Sequence, residues 1–206
     1  MTLSFKNLPV KKQHSMMVML IAFVATLAYL FNDATSDIFV YQYQLISHGE
    51  LWRTFTGHFF HTNGIHLLLN LAALALLWAL HGHFYDIKSY SLLFIISALI
   101  CSAGLYFFSP ETRQYVGLSG VLHGIFVFGA IMDIRHKDKT GYLLFVGVWL
   151  KIAHEQFYGA SEQVSSLIDA NVAIDAHLWG AVGGLLFSFC YVLMTKKKTF
   201  SKNNKH

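Results

Sequence analysis

The chain of 206 residues is 55% hydrophobic and 13% charged. Soluble domains contain about 25% charged residues, so this composition excludes an ordinary soluble domain and indicates a protein embedded in lipid. The formal net charge is +4. Because lysines gather near both ends of the chain, contact with anionic lipid headgroups explains this charge better than nucleic acid binding does.

Apolar segments long enough to cross a bilayer recur along the sequence. A hydrocarbon core of about 30 Å requires about 20 mostly apolar residues per crossing. Six segments approach this length, at residues 16–31, 57–80, 90–108, 117–134, 141–157 and 172–195. The pattern predicts an all-α membrane protein, a bundle of six transmembrane helices. Residues 16–195 then form one membrane domain between a basic amino-terminal stretch, residues 1–15, and a basic tail, residues 196–206.

The basic residues fall mainly on one face of this map. Twelve of the 15 Lys and Arg residues lie before segment one, between segments two and three, between segments four and five, or after segment six. Positive charge beside membrane segments marks the cytoplasmic side, so both termini are predicted to be cytoplasmic. The opposite face receives Arg53 and Arg113, while Lys151 and Glu155 interrupt segment five. Residues 154–172 are the most loop-like stretch on that opposite face.

Polar residues gather where segments two, four and six begin. Ionisable side chains inside a membrane are costly, so their positions point to function. All three segments run inward from the outer face, and a rise of 1.5 Å per residue places Ser119 and His177 within about 10 Å of the outer hydrocarbon boundary. The polar residues that reach this depth are His58, His61, Thr62, Asn63, His66, Asn70, Ser119, His123, Asp175 and His177.

The spacing within these segments indicates which residues can meet. His66 and Asn70 are four residues apart and share one helix face, as do Ser119 and His123. Rows of small residues let two helices approach closely in lipid. Segments four and six carry such rows, which predicts that Ser119 can reach His177. The rows consist of Gly120 and Gly124 on segment four, and of Ala176, Gly180 and Gly184 on segment six.

A serine and a histidine at one depth favour acyl-transfer chemistry. The hydroxyl is a weak nucleophile until a base takes its proton, and neutral histidine suits that role near neutral pH. The tetrahedral intermediate needs hydrogen-bond donors, which His66 and Asn70 can supply. Asp175 lies two residues before His177 and faces elsewhere on a helix, so a Ser/His dyad fits better than a triad. Taken singly, an intramembrane serine more often forms a hydrogen bond to its own helix than acts in catalysis. A lone histidine is likewise more often packed against its neighbours or bonded to water than catalytic.

Together these residues resemble the rhomboid intramembrane serine proteases over roughly residues 50–189. The residues that carry the resemblance are Trp52, Arg53, His61, His66, Asn70, residues 117–120, Ala176, His177, Gly180 and Gly184. The resemblance implies that Ser119 is the nucleophile and His177 the general base. It also implies an oxyanion hole made by His66, Asn70 and the Ser119 backbone amide. The residues expected to support this site are His123, His61, Gly120, Gly180 and Gly184.

The resemblance also sets expectations for cofactors, partners and location. The family uses no cofactor and no metal, and its substrates are membrane-anchored proteins within the lipid bilayer. Its members bend segment five and the neighbouring outer loop aside to admit an extended stretch of substrate, which suits residues 154–172. The expected location is the bacterial inner membrane, with the active site opening to the periplasmic side.

One residue points to a subfamily. Many rhomboids have an aromatic residue four positions after the serine, stacked on the catalytic histidine, whereas this chain has His123. That substitution and the short segment five, ending near residues 155–159, look like the bacterial rhombosortases. These are thought to process secreted proteins whose carboxyl terminus carries a glycine-glycine pair, an apolar helix and a basic tail.

Three other functions compete with proteolysis by a serine. A catalytically inactive rhomboid-like protein would bind transmembrane segments without cutting them. A metal-dependent protease is suggested by the twelve histidines, yet there is no H-E-x-x-H motif, and His61 and His66 are five residues apart rather than four. A small transporter would be expected to show an inverted repeat, which six segments without visible symmetry do not support.

Overall fold

The computed structural model describes residues 8–203, and side chains as far as residue 195. Two short strands, β1 (Tyr41–Gln42) and β2 (Gln114–Tyr115), pair antiparallel. Single 3₁₀ turns lie at Gly57–Phe59 and Gly82–Phe84. The α-helices are α1 (Lys12–Leu30), α2 (Asn32–Phe39), α3 (Tyr43–Ser47), α4 (Arg53–Thr56), α5 (Gly64–His81), α6 (Ile87–Phe108), α7 (Ser119–Arg135), α8 (Thr140–Tyr158), α9 (Glu162–Ile168) and α10 (Ile174–Asn203).

The structure confirms a helical membrane bundle. Within the described residues, four stretches are long and apolar enough to cross a membrane: Lys12–Leu30, Gly64–Phe84, Ile87–Phe108 and Ile174–Thr195. Helices α7 and α8 correspond to predicted segments four and five. Helix α7 has 17 residues, and α8 carries Lys151 and Glu155, so six crossings stay a prediction. Parts of the predicted basic termini, residues 1–7 and 204–206, lie outside the described residues.

Segment two begins differently from the prediction. It was expected to be helical from residue 57, but α5 begins at Gly64. The side chain of Asn63 caps α5 by accepting a hydrogen bond from the His66 amide at 2.8 Å, and the residues before it form a 3₁₀ turn and extended chain. His58 and His61 therefore precede the helix. The His58 ring packs against α6, with Nε2 3.0 Å from the Ala98 carbonyl oxygen.

The outer stretch of residues 154–172 is also more ordered than predicted. Helix α8 continues to Tyr158 and ends at Gly159, whose φ of +82° lies in the left-handed region. Residues 162–168 then form α9. Segments three and six begin at Ile87 and Ile174, each shifted by two or three residues from the prediction. The earlier start of α6 follows from its cap, because the Asp86 carboxylate accepts the Lys88 and Ser89 amides.

Helix α7 lies at the centre of the bundle and packs closely against α10. A Cβ added to Gly120 would lie 2.7 Å from the Ala176 carbonyl oxygen, and one added to Gly124 would lie 2.6 Å from that of Gly180. From the other side, Gly180 and Gly184 lie against the backbone of Gly120 and Gly124. The predicted close packing of segments four and six is therefore present, and it brings the amino-terminal ends of α7 and α10 together.

Arg53 ties the first outer segment to the bundle. Its buried guanidinium donates to the Glu50 carboxylate at 2.6 Å, to the Val40 carbonyl at 2.8 Å and to the Asp37 carbonyl at 2.6 Å. The last two acceptors are backbone carbonyls of the segment that leads into β1. This arrangement fixes β1 and, through strand pairing, the β2 segment that leads into α7.

Candidate active site

The structure brings Ser119 and His177 into hydrogen-bond contact. The distance between Ser119 Oγ and His177 Nε2 is 3.0 Å. Ser119 is the first residue of α7, and His177 is the fourth residue of α10. The His177 ring is buried, with 5% of the residue exposed. The two residues that the sequence placed at one depth thus form a pair at the junction of two glycine-packed helices.

Glu155 and Lys151 reach the other side of the His177 ring. Glu155 Oε2 lies 2.8 Å from His177 Nδ1, and Lys151 Nζ lies 3.1 Å from the same nitrogen. The two side chains also bond to each other, with Nζ 2.7 Å from Oε2. Sequence reasoning left both residues without a role. The available signal was a pair of opposite charges four residues apart inside an apolar segment.

His123 braces the site from α7. Its ring stacks on that of His177, with centroids 4.2 Å apart and planes at 22°. Its Nδ1 lies 2.7 Å from the Ser119 carbonyl oxygen and its Nε2 lies 2.9 Å from Lys151 Nζ. His123 therefore occupies the stacking position expected of an aromatic ring and also takes part in the polar network.

Asp175 has partners elsewhere, as the two-residue spacing from His177 predicted. Its carboxylate accepts a hydrogen bond from Ser109 Oγ at 2.6 Å and another from Gln156 Nε2 at 3.0 Å. These contacts link α10 to the end of α6 and to α8. The carboxylate next to the imidazole comes instead from Glu155, on a different helix.

Hydrogen-bond donors border the start of α7. Gly117 has a φ of +115°, and a Cβ there would lie 2.7 Å from His66 Nε2 and 3.7 Å from Asn70 Nδ2. His66 and Asn70 are buried on one face of α5, as their spacing predicted. The amide of the first residue of a helix has no intrahelical acceptor, which leaves the Ser119 N–H available. Glycine at residue 117 thus allows the side chains of His66 and Asn70 to lie close to the chain two residues before Ser119.

His61 supports His66 rather than contacting Ser119. The two rings meet edge to face, with centroids 4.9 Å apart. His61 Nδ1 lies 3.1 Å from the Phe59 carbonyl oxygen. His66 Nδ1 lies 3.1 Å from Thr62 Oγ1 and 3.5 Å from the Thr62 backbone nitrogen, while Nε2 faces Gly117.

A cavity of about 450 Å³ opens beside the serine. Its lining includes Ser119, His66 and His61 on one side and Ile168 of α9 on the other. Helix α9 is tied to the site, because Thr62 Oγ1 donates to the Ile168 carbonyl at 2.6 Å and Asn63 Nδ2 donates to the Leu167 carbonyl at 3.0 Å. The cavity provides space for an extended polypeptide beside Ser119.

Three side chains could also ligate a metal. Ligand atoms of His123, Glu155 and His177 lie within 4.8 Å of one another. Lys151 Nζ lies 2.7 to 3.1 Å from one atom of each of these residues. A metal ion would have to displace this ammonium group, so the arrangement fits a lysine better than a dication.

These features define a class of protein: a helical membrane bundle that holds a Ser/His pair between two of its helices. The chain matches the Rhomboid domain family over residues 48–194. This match covers most of the chain, including every residue of the site. The chain therefore belongs to the rhomboid family.

Curated relatives from distant organisms share this similarity. A protein of Bacillus subtilis (strain 168) named "Putative rhomboid protease YdcA" is 26% identical over 153 residues, covering 74% of this chain and 73% of that protein. Rhomboid protease GlpG of Photorhabdus laumondii is 28% identical over 167 residues, covering 77% of this chain and 52% of that protein. Rhomboid-like protease 5 of Toxoplasma gondii is 32% identical over 155 residues, covering 71% of this chain and 17% of that protein.

Proposed function

We propose that this chain is a rhomboid-type serine endopeptidase that cleaves membrane-anchored proteins, with Ser119 as nucleophile and His177 as general base. The observation that carries the proposal is the 3.0 Å contact between Ser119 Oγ and His177 Nε2 inside a helical membrane bundle. A serine activated by a histidine is the arrangement that acyl transfer requires. Membership of the rhomboid family, whose named relatives are proteases, supports the same activity.

The proposed reaction follows from the geometry. Ser119 Oγ attacks the scissile carbonyl carbon and gives its proton to His177 Nε2, and the negative charge develops on the carbonyl oxygen. His66, Asn70 and the Ser119 amide donate hydrogen bonds to that oxygen. The C–N bond then breaks as His177 returns the proton to the leaving amine, and water hydrolyses the resulting acyl-enzyme by the same steps.

The charge pattern supports a location in the bacterial inner membrane with both termini in the cytoplasm and the active site open to the periplasmic side. Twelve of 15 basic residues lie on the face opposite the site. Residues 16–195 then act as a single membrane domain. Labelling of engineered cysteines tests this topology, because residue 137 is expected to react from the cytoplasm and residue 165 from outside.

The substrate class is a further part of the proposal. His123 at the stacking position supports a rhombosortase-like activity on secreted proteins that end in a glycine-glycine pair, an apolar helix and a basic tail. The cavity beside Ser119 can hold an extended segment, and small residues such as glycine favour an extended, non-helical chain at the cleavage point.

Cleavage by purified protein tests the activity. We expect the parent to cut a transmembrane substrate with a glycine-glycine pair, and Ser119→Ala and His177→Ala to lose nearly all cleavage. His123→Phe keeps the stacked ring and should retain measurable activity. The measurement is the initial cleavage rate at matched folded concentration.

Three outcomes would contradict the proposal. Ser119→Ala activity within tenfold of the parent would exclude the serine mechanism. If folded parent protein binds substrates but cleaves none, the chain is an inactive rhomboid-like binding protein. If His123→Phe is inactive while His177→Ala still cleaves, the roles of the two histidines are reversed.

A further inference from the structure

Three ionisable side chains meet around His177, the partner of Ser119. His123 comes from α7, Lys151 and Glu155 from α8, and His177 from α10. We propose that Glu155 is a positioning residue that fixes the proton on His177 Nδ1, and that Lys151 holds Glu155 in place for this task. This inference rests on the proposed function and adds a carboxylate from segment five to the Ser/His dyad.

Hydrogen-bond chemistry assigns the proton on His123. A carbonyl oxygen can only accept, so the 2.7 Å contact with the Ser119 carbonyl requires a proton on His123 Nδ1. In the neutral ring, Nε2 is then an acceptor. Lys151 Nζ, 2.9 Å away, is a suitable donor to it. His123 thus directs the ammonium group of Lys151 toward Glu155 and His177.

Glu155 and Lys151 compete for one nitrogen of His177. If Nδ1 carries the proton, it donates to Glu155 Oε2 at 2.8 Å, and Nε2 can accept the proton of Ser119. If Lys151 donates to Nδ1 instead, the proton of a neutral imidazole moves to Nε2, and the ring cannot act as base. The shorter contact is with the carboxylate, which favours the productive tautomer.

Two other hydrogen bonds of Lys151 favour Glu155 as the partner of His177 Nδ1. Its ammonium group donates to Glu155 Oε2 at 2.7 Å and to His123, which uses two of its three protons. The ion pair offsets the cost of placing a carboxylate among apolar helices. When His177 becomes an imidazolium ion during acylation, the adjacent carboxylate stabilises it without taking its proton.

The variant Glu155→Met separates positioning from packing, because methionine keeps the length of the side chain but cannot accept the proton of His177 Nδ1. Lys151 Nζ, 3.1 Å from Nδ1, then becomes its hydrogen-bond partner and donates to it. This arrangement selects the unproductive tautomer. We expect kcat to fall by roughly 10²- to 10⁴-fold with little change in KM, because loss of a triad carboxylate costs on the order of 10⁴-fold in kcat.

A second substitution tests the competition directly. In the double variant Lys151→Met/Glu155→Met, the rival donor is gone, so no neighbour donates to Nδ1 and the productive tautomer is available again. We expect at least tenfold recovery of kcat relative to Glu155→Met. The matched control is Glu111→Met, which removes an exposed carboxylate outside the site and should leave kcat unchanged.

Nitrogen NMR of ¹⁵N-histidine-labelled protein reports the tautomer without any substrate. The His177 signals, assigned by their loss in His177→Ala, should show a protonated Nδ1 in the parent and a protonated Nε2 in Glu155→Met. Glu155→Met cleaving within threefold of the parent, or with an unchanged tautomer, would overturn the role of Glu155. Failure of the double variant to recover would overturn the role of Lys151. Absence of cleavage by the parent would instead count against the proposed function, and the NMR result would still decide the positioning.

Discussion

The position of Ser119 at the start of α7 gives this residue two uses in the proposed reaction. Its hydroxyl meets His177, while its backbone N–H is one of the helix amides that lack an intrahelical acceptor. Gly117 lets His66 and Asn70 approach from α5, because a side chain at that position would occupy the space of the His66 ring. The proposed nucleophile and its proposed oxyanion donors thus lie together at the start of one helix.

Asn70 provides a test of the oxyanion hole. Asn70→Ala removes one donor to the developing oxyanion, and loss of such a donor costs roughly 2.7–4 kcal/mol of transition-state stabilisation. We expect kcat to fall by about 10²- to 10³-fold with little change in KM, measured by steady-state cleavage. Leu69→Ala, at a neighbouring exposed position, is the control. An effect confined to KM would assign Asn70 to substrate recognition instead.

Residue spacing was sufficient to predict part of the site. The four-residue separations placed His66 with Asn70 and Ser119 with His123, and the structure has both pairs on single helix faces. The contact between Glu155 and His177 could not be predicted in the same way, because the two residues lie on different helices. Their distance depends on how α8 packs against α10. The charge pair in an apolar segment marked the position without identifying the contact.

At the scale of elements, the glycine rows were the most informative feature of the sequence. They predicted contact between segments four and six, which the structure confirms. The predicted start of α5 was wrong because residues 57–63 consist of one glycine, two phenylalanines and four polar residues, a composition that fits either a helix end or a turn. The folding of α9 was missed because seven residues carry too little periodicity to distinguish a short helix from a loop.

Helix α8 must stay close to α7 and α10 for Glu155 to reach His177, and Gly141 sets its distance from α7. A Cβ at Gly141 would lie 2.7 Å from the Ala130 carbonyl oxygen, Asp133 Cβ and the Ile134 amide nitrogen, all on α7. A Cβ at Gly147, on the same helix, would meet no described atom within 4 Å. The two positions form a matched pair of glycines.

Alanine at these two glycines should have opposite effects. Gly141→Ala overpacks the α7–α8 contact and is expected to cost roughly 1–3 kcal/mol of stability and to lower the cleavage rate. Gly147→Ala should be neutral or stabilise α8 by up to about 1 kcal/mol, because alanine favours a helix over glycine. Thermal unfolding in detergent measures both. Equal stability of the two variants would show that α8 does not depend on this contact.

At the scale of the whole molecule, composition and charge distribution predicted a helical membrane bundle, and the structure and the family match agree with it. Composition and charge predicted six crossings, whereas four of the described stretches have the length and apolar composition of a span. Helix α7 has 17 residues and is mostly buried, and α8 carries the charged pair Lys151 and Glu155, so neither has the length and apolar composition typical of a lipid-exposed span. The residues that make these helices atypical spans include those proposed to make the protein an enzyme.

Covalent trapping tests the central claim, that Ser119 is a nucleophile activated by His177, most directly. A fluorophosphonate reacts with an activated serine hydroxyl, and intact-mass measurement followed by peptide mapping locates the adduct. We expect a single phosphonate on Ser119 of the detergent-solubilised parent, no adduct on Ser119→Ala and strongly slowed labelling of His177→Ala. Folded parent protein that gains no adduct, or gains it on a different residue, would contradict the account.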